Sequence, residues 1–285
     1  MKPHRKTVLP VAAALLAATL SALSPAHAQQ GVDVDLARPD FTTWNLYGSA
    51  TAQNLTPGNG FTYSLLTLTA PGSGDQGGAG FAPEALALDF NEAFRFSFHF
   101  YIPVIEGIRG DGLTLTLASA PGLGNAGSGL SYEGLGVSSV ALAIDTFHFG
   151  GEPVSPSLQI LAGGSVTPLA VTETGLGDDI RDPDFQWYAQ LEYVPSGLGD
   201  NAGTLTGTLE HINLGTFTVS APIDFLALDL VGAPVYWGFT AANGLATDGH
   251  IVDWGAPVPE PAAVWLMLGG AACLVARRRR QGAAR

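Results

Sequence analysis

The sequence predicts an all-β protein, an antiparallel sandwich built from short strands and tight turns. Two observations carry that prediction. Period-2 alternation recurs through the middle of the chain, as in Phe94-Arg95-Phe96-Ser97-Phe98-His99-Phe100, Leu113-Thr114-Leu115-Thr116-Leu117 and Val140-Ala141-Leu142-Ala143-Ile144. That period sends alternate side chains to a core face and an outer face. Glycine is abundant, at 37 of 285 residues, while charged residues make up only 13%, which suits many turns rather than long solvent-facing helices.

The two ends stand apart from this pattern. Residues 1–28 open with Lys2, Arg5 and Lys6, run through an apolar Val8–Leu23 stretch and close on Ala26-His27-Ala28; this is the pattern of a secretory signal peptide. At the other end, residues 257–285 contain Pro259-Glu260-Pro261, an uncharged apolar segment at 262–276 and four arginines at 277–280. The apolar segment is expected to be a hydrophobic helix, shorter than the ~20 residues usual for a span, with its arginines on the cytoplasmic side. The three parts in that order resemble the PEP-CTERM sorting tail of Gram-negative bacteria. The resemblance implies transient membrane anchoring, cleavage near Pro259-Glu260-Pro261 by an exosortase, and release to the cell surface or beyond.

Residues 29–256 remain for the folded body, enough for one sandwich with a real core. Between Gln29 and Glu260 there are four arginines (Arg38, Arg95, Arg109, Arg181), no lysine and all 25 acidic residues, a net charge near −21. Such a surface repels phosphate backbones and argues against a nucleic-acid partner. The single cysteine, Cys273, lies in the tail, so the exported part has no disulfide and depends on its core.

In chain order, Phe41–Ala50 reads as the first strand and Phe61–Thr69 as the second, with Pro71–Gly80 a glycine-rich turn between elements. Ala93–Tyr101 is the clearest strand: four phenylalanines share one face, read as core rather than as a sugar platform. The strands at 113–117 and 140–144 flank a glycine-rich connection. Ser157–Leu161 follows a turn carrying Glu152. Residues 172–184 read as an acidic, solvated loop; Asp178, Asp179, Asp182 and Asp184 are oxygen donors, but their spacing is not that of an EF-hand. Phe185–Val194 places Trp187, Ala189, Leu191 and Tyr193 on one face, Thr204–Glu210 and Ile212–Ser220 form a hairpin, and Val235–Gly244 and His250–Trp254 close the domain.

Three phrases in the central stretch resemble the legume-type lectin family. Gly110-Asp111-Gly112-Leu113 is similar to its Ala-Asp-Gly-hydrophobic motif, Gly127-Ser128-Gly129-Leu130-Ser131-Tyr132 to its glycine-rich sugar loop, and Val140-Ala141-Leu142-Ala143-Ile144-Asp145-Thr146 to its Val-Ala-Val-Glu-Phe-Asp-Thr metal strand. The opening at Phe41 and the closing strands at Val235–Gly244 and His250–Trp254 match as well. The resemblance implies a concanavalin A-like (legume lectin-like) antiparallel β-sandwich, or jelly roll. It also implies a sugar site in which the Asp111 carboxylate and the Gly129 backbone N–H hold hydroxyls, and the loop Asn243-Gly244-Leu245 sets selectivity. Phe149 stands where the family has a ligand asparagine, and would stack on a sugar face instead.

The metal strand departs from the family. Ala143 occupies its glutamate position and Ser157 its histidine position. Asp145 and the Phe147 carbonyl alone keep ligand character, short of the six to eight oxygens calcium takes. The resemblance therefore implies no required cofactor and a degenerate calcium site. An enzyme is not expected: no Glu-x-Asp-x-Glu run places a carboxylate pair for glycoside hydrolysis, and there is no Gly-x-Ser-x-Gly or His-Glu-x-x-His motif. The expected function is an exported carbohydrate-binding protein acting on glycans or exopolysaccharide. The alternative is a structural or protein-interaction sandwich of the cell surface that has lost sugar binding. Nothing in the sequence sets an oligomeric state.

Overall fold

The computed structural model describes residues 32–33, 39–56 and 62–253. The expected signal peptide at 1–28 and the tail at 257–285, with its apolar segment and Pro259-Glu260-Pro261, lie outside the described residues. Among the described residues no helix is long and apolar enough to cross a membrane.

Fifteen strands occur among these residues: β1 (Val32–Asp33), β2 (Asn45–Gly48), β3 (Thr51–Leu55), β4 (Tyr63–Thr69), β5 (Gly77–Phe81), β6 (Phe94–Ile102), β7 (Gly112–Ala118), β8 (Ser139–Asp145), β9 (Ser157–Ala162), β10 (Ser165–Glu173), β11 (Asp182–Pro195), β12 (Ala202–His211), β13 (Gly215–Asp224), β14 (Tyr236–Ala242) and β15 (His250–Asp253). They form two sheets. One runs β13-β12-β11-β6-β15-β4-β3, with β1 parallel to the start of β6; the other runs β10-β9-β8-β7-β14-β5-β2. All pairs except β1–β6 are antiparallel, so the predicted sandwich is the observed one.

The core lies between the sheets. Phe94, Phe96, Phe98 and Phe100 of β6 are buried, as are Trp187, Ala189, Leu191 and Tyr193 of β11, on the faces the alternation assigned. They meet Leu113, Leu115 and Leu117 of β7, Val140, Leu142 and Ile144 of β8, and Phe239 of β14. Phe98 meets Phe239 of the facing sheet edge-on at 4.9 Å, and Phe94 stacks on its cross-strand neighbour Tyr193 at 4.9 Å. The polar tips of the buried rings are satisfied: Trp187 Nε1 donates to the Ile180 carbonyl at 3.0 Å and the Tyr193 hydroxyl to the Phe90 carbonyl at 2.8 Å, as buried amphipathic rings require.

Strand β8 is buried on both faces. Its outer face, Ala141 and Ala143, packs under the β7–β8 connection in a second cluster with Leu130, Tyr132 and Leu161. Hydrogen bonds fix that connection to the outside of the sheet: Ser131 Oγ donates to the Ala241 carbonyl at 2.9 Å and Thr240 Oγ1 to the Leu130 carbonyl at 2.7 Å. This fold-back carries residues 127–129, a short 3-10 turn, to the rim of the sheet.

Three segments differ from their sequence reading. Phe41–Ala50 is not one strand: Phe41–Thr43 is a 3-10 turn capped by Asp40, and β2 ends at Gly48 with φ +63° before β3 starts in the other sheet. The left-handed glycine turns the chain from one layer to the other. Pro71–Gly80 is a turn only in its first part, because β5 begins at Gly77 and lies between β14 and β2. A Cβ on Gly78 would overlap the Leu68 carbonyl, so glycine marks a close backbone approach there rather than a loop. The acidic segment 172–184 is the end of β10, a 3-10 turn at Gly177–Ile180 and the start of β11.

Candidate functional site

Sheet register builds the site. Gly112 of β7 pairs with Asp145 of β8 on one side and with Ala242 of β14 on the other, and Ala242 pairs with Gly77 of β5. Four strand ends therefore stop at one level, and the residues just beyond them, Asp111, Thr146, Asn243 and Gln76, come together at one rim. Here the loop before β7, the 3-10 turn at 127–129, the loop after β8 and the loop after β14 enclose a cleft of about 280 Å³. It is lined by Ile108, Arg109, Asp111, Gly127, Ser128, Phe147, Phe149, Asn243, Gly244, Leu245 and Ala246.

Most of the residues singled out from the sequence meet here. Asp111 lies at the cleft and is only 8% exposed; its Oδ2 is buried without a hydrogen-bond partner among the described residues. Burial pushes its carboxyl up to about 6, the charge of Glu152 adds to that, and only its own backbone N–H opposes it. Unpartnered buried polar atoms are costly and uncommon, so this oxygen is an unsatisfied acceptor at the edge of the cleft. Gly244, at φ +45°, lies directly against it: a Cβ there would sit 2.8 Å from Oδ2. Phe149 is 65% exposed and Leu245 85%, so an apolar rim surrounds the carboxylate. Phe149 is held at its backbone by Glu152 Oε2, which accepts its N–H at 2.7 Å.

Two residues are placed differently. Gly129 is buried, its carbonyl accepting from Tyr132 and Glu133 N–H, and its neighbours Gly127 and Ser128 face the cleft instead. Asn243 lines the cleft but its amide is committed to the protein. Its Oδ1 accepts from Gln76 N–H at 2.9 Å, and its Nδ2 donates to the carbonyls of Ser73 and of Asp248.

Asp145 is occupied too. Its Oδ1 accepts from Ser155 Oγ at 2.8 Å and Phe147 N–H at 3.1 Å, and its Oδ2 from Gln159 Nε2 at 2.8 Å. Burial outweighs these bonds and pushes the carboxyl up to about 7. Every donor to it is neutral, and Ala143 is enclosed by the Leu130–Tyr132 cluster, where a glutamate has no room. Phe147 offers a carbonyl and lines the cleft. Among the described residues no group of three or more His, Cys, Asp or Glu side chains could hold a metal ion. Asp145, with both oxygens already bonded to the protein, and the Phe147 carbonyl fall short of the six to eight oxygens that a calcium ion takes.

Sequence reasoning missed Ile108, Arg109 and Ser128 in the lining, and Arg181 and Asp248 behind it. Arg109 donates to the Thr146 carbonyl at 2.8 Å and pairs with Asp178 at 2.8 Å. The available signal was scarcity: of the four arginines between Gln29 and Glu260, Arg109 lines this rim and Arg181 lies behind it.

Comparison with known proteins agrees at both ends of the argument. Residues 257–280 match the PEP-CTERM protein-sorting motif. The sandwich is similar to the basic winged bean lectin solved with Tn-antigen (TM-score 0.58, 19% identity, 76% of this chain and 91% of that one). It is also similar to Griffonia simplicifolia lectin I-B4 in its metal-free form (TM-score 0.55, 17% identity, 74% and 90%). A third similar structure is arcelin-5, a lectin-like defense protein from Phaseolus vulgaris (TM-score 0.55, 21% identity, 74% and 89%). No curated protein matches the sequence. The chain thus has a legume lectin-like fold followed by a sorting tail.

Proposed function

We propose that this is an exported, lectin-like carbohydrate-binding protein, sorted by its tail to the cell surface or the extracellular polysaccharide matrix. On this reading residues 1–28 direct export, 29–256 form the binding domain and 257–285 are processed by an exosortase near Pro259-Glu260-Pro261, after transient anchoring through the apolar segment. The observation that carries the reading is the buried Asp111 carboxylate, whose Oδ2 has no hydrogen-bond partner among the described residues, in a cleft rimmed by exposed apolar side chains. A sugar ring presents both hydroxyl donors and an apolar C–H face. Asp111 accepts the hydroxyls, charge-assisted bonds being the strong kind; Phe149, Leu245 and Ile108 cover the apolar face; backbone at Gly127–Ser128 and Gly244 admits the ring closely. Pockets of this kind, largely apolar with a few convergent polar groups, are the usual form of small-ligand sites. The protein carries out no chemistry on its ligand in this proposal, and neither calcium nor any other cofactor is required.

A second reading, a surface sandwich without sugar binding, is favoured by one observation: the Asn243 amide is consumed internally. A glycan array probed with the purified protein, with calcium and again with chelator, separates the two. Binding in both conditions that disappears in Asp111→Asn supports the lectin reading. A folded protein that binds nothing in either condition sinks it.

A further inference from the structure

We propose that the buried Arg181–Asp248 ion pair is the positioning element of the cleft, holding Asp111 and the Asn243–Ala246 loop in register by a residue charge, without a divalent ion. The inference rests on the reading of the cleft as a glycan site. Neither side chain lines the cleft; both act through the backbone and through Asn243.

The pair is almost fully enclosed, with side chains 6% and 1% exposed. Arg181 meets Asp248 on two edges: its Nε donates to Oδ2 at 3.2 Å, and its Nη2 lies 2.9 Å from Oδ1 as a charge contact without hydrogen-bond geometry, while its Nη1 donates to the Gly107 carbonyl at 3.1 Å. A planar guanidinium can meet both carboxylate oxygens at once, which a single-point ammonium does not. Asp248 Oδ2 also accepts from the N–H of Gly110 at 2.9 Å, the residue before Asp111. The Asp248 carbonyl accepts from Asn243 Nδ2 at 3.1 Å and Thr69 Oγ1 at 3.1 Å. Through Asn243 the same network reaches Ser73 and Gln76. One ion pair thus ties the 177–181 turn, the loop before β7, the β4–β5 connection and the loop after β14.

Close packing leaves these loops little freedom beyond that tie. A Cβ on Gly110 would lie 3.1 Å from Cβ of Asn243 and of Asp248 and 3.2 Å from Cε1 of His250, so the strand end and the loop meet in contact. Charge economy points the same way. In a region with only four cations against 25 acids, one is buried here. Burying an ion pair is a poor way to gain stability, but it fixes geometry. The carboxylate it positions, Asp111, has an oxygen, Oδ2, without a hydrogen-bond partner among the described residues.

The test replaces the pair as a unit, Arg181→Met with Asp248→Leu, because removing one member strands a buried charge. The expected result is a folded protein in which amide exchange at Gly110–Asp111 and Asn243–Ala246 rises about tenfold or more while core amides of β9 and β12 are unchanged. Affinity for the best glycan from the array falls by a similar factor. Should the double variant not fold, Arg181→Lys keeps the charge and loses the two-edged grip, and the same amides are read in it. Chelator is expected to change neither exchange nor binding in the unaltered protein. Unchanged exchange at those amides in a folded variant overturns the proposal, as does loosening of the same amides by chelator. If the unaltered protein binds no glycan, the lectin reading fails, and the exchange data still decide whether the pair positions the cleft.

Discussion

Asp111 and Asp145 sit one strand apart, where Gly112 pairs with Asp145. Both are buried, both feel Glu152, and burial raises both carboxyls. Their surroundings differ in who donates to them. Three donors from Phe147, Ser155 and Gln159 converge on Asp145, and it serves as an internal tie for the loop after β8. Asp111 has one oxygen with no donor at all, in a cleft with an exposed aromatic rim. On the proposed reading, the carboxylate satisfied by its own protein is structural, and the desolvated, unsatisfied one beside the cleft receives the ligand.

The hardest blow to this contrast is Ala143→Glu, which returns a carboxylate to the position beside Asp145. In the closed Leu130–Tyr132 cluster that charge has no partner. Burying it costs about 3 kcal/mol or more, lowering Tm by about 6–12 °C; calcium does not restore the loss. Calorimetry with and without calcium checks it, and calcium rescue would mean that an ion site had been rebuilt.

Next in size is Asp111→Asn. Losing charge-assisted bonds to sugar hydroxyls costs about 1.5–3 kcal/mol, a drop of about ten- to a hundredfold in affinity. Stability should hold or rise, because an unpartnered buried charge is removed. Titration calorimetry beside thermal melts reads both; a fall in Tm without loss of binding would make Asp111 the structural one.

Asp145→Asn sharpens the comparison through pH. The folded carboxyl titrates about 7, against about 3.9 when unfolded. The folded state keeps its proton where the unfolded state has released it, so this stabilisation is complete below about pH 4 and lost as pH rises to about 7. Asparagine keeps acceptor and shape without the charge, since Gln159 can present its own carbonyl. The variant should melt as high as or higher than the unaltered protein at pH 8, and the advantage should vanish toward pH 4. His250, driven by burial down to about 4, titrates in the opposite sense in both proteins and cancels in the difference. A variant that melts lower at pH 8 would show that the ionised carboxylate is needed.

The smallest effect belongs to Phe149→Ala. The ring is 65% exposed, so Tm should stay within about 1 °C, while loss of stacking worth about 1 kcal/mol weakens glycan binding about fivefold. Unchanged affinity would remove Phe149 from the site.

How far these features were legible depended on the kind of signal. Phe94 to Phe100 and Leu113 to Leu117 declared their strands because burial on one face leaves a period-2 trace. Strand β5 did not, since Gly77, Gly78 and Gly80 carry no side chain to alternate and their role is close backbone approach. Strand β10 went unread: at the sheet edge its residues alternate between exposed and half-buried, and alternation without a buried face leaves little trace. Asp111, Phe149 and Asn243–Leu245 could be assigned to one site only through the resemblance of their motifs to the legume-type lectin family. The commitment of the Asn243 amide, and the substitution of Ser128 for Gly129 at the cleft, depend on loop geometry that no spacing encodes. Arg181 was hidden among Asp178, Asp179 and Asp182, where it read as part of a solvated loop; its partner Asp248 lies 67 residues away.

Strand β15 occupies an interior place in its sheet, between β6 and β4. Its His250 meets Thr69 across 181 residues of chain, and the sorting motif begins at residue 257, just past the strand. A chain emerging from its amino end must therefore hold a gap in the middle of that sheet until almost all of it has been delivered. Pairings that distant form late and slowly. Seating β15 is thus the step that completes the interior of that sheet, and it waits on a segment close to the end of the described chain.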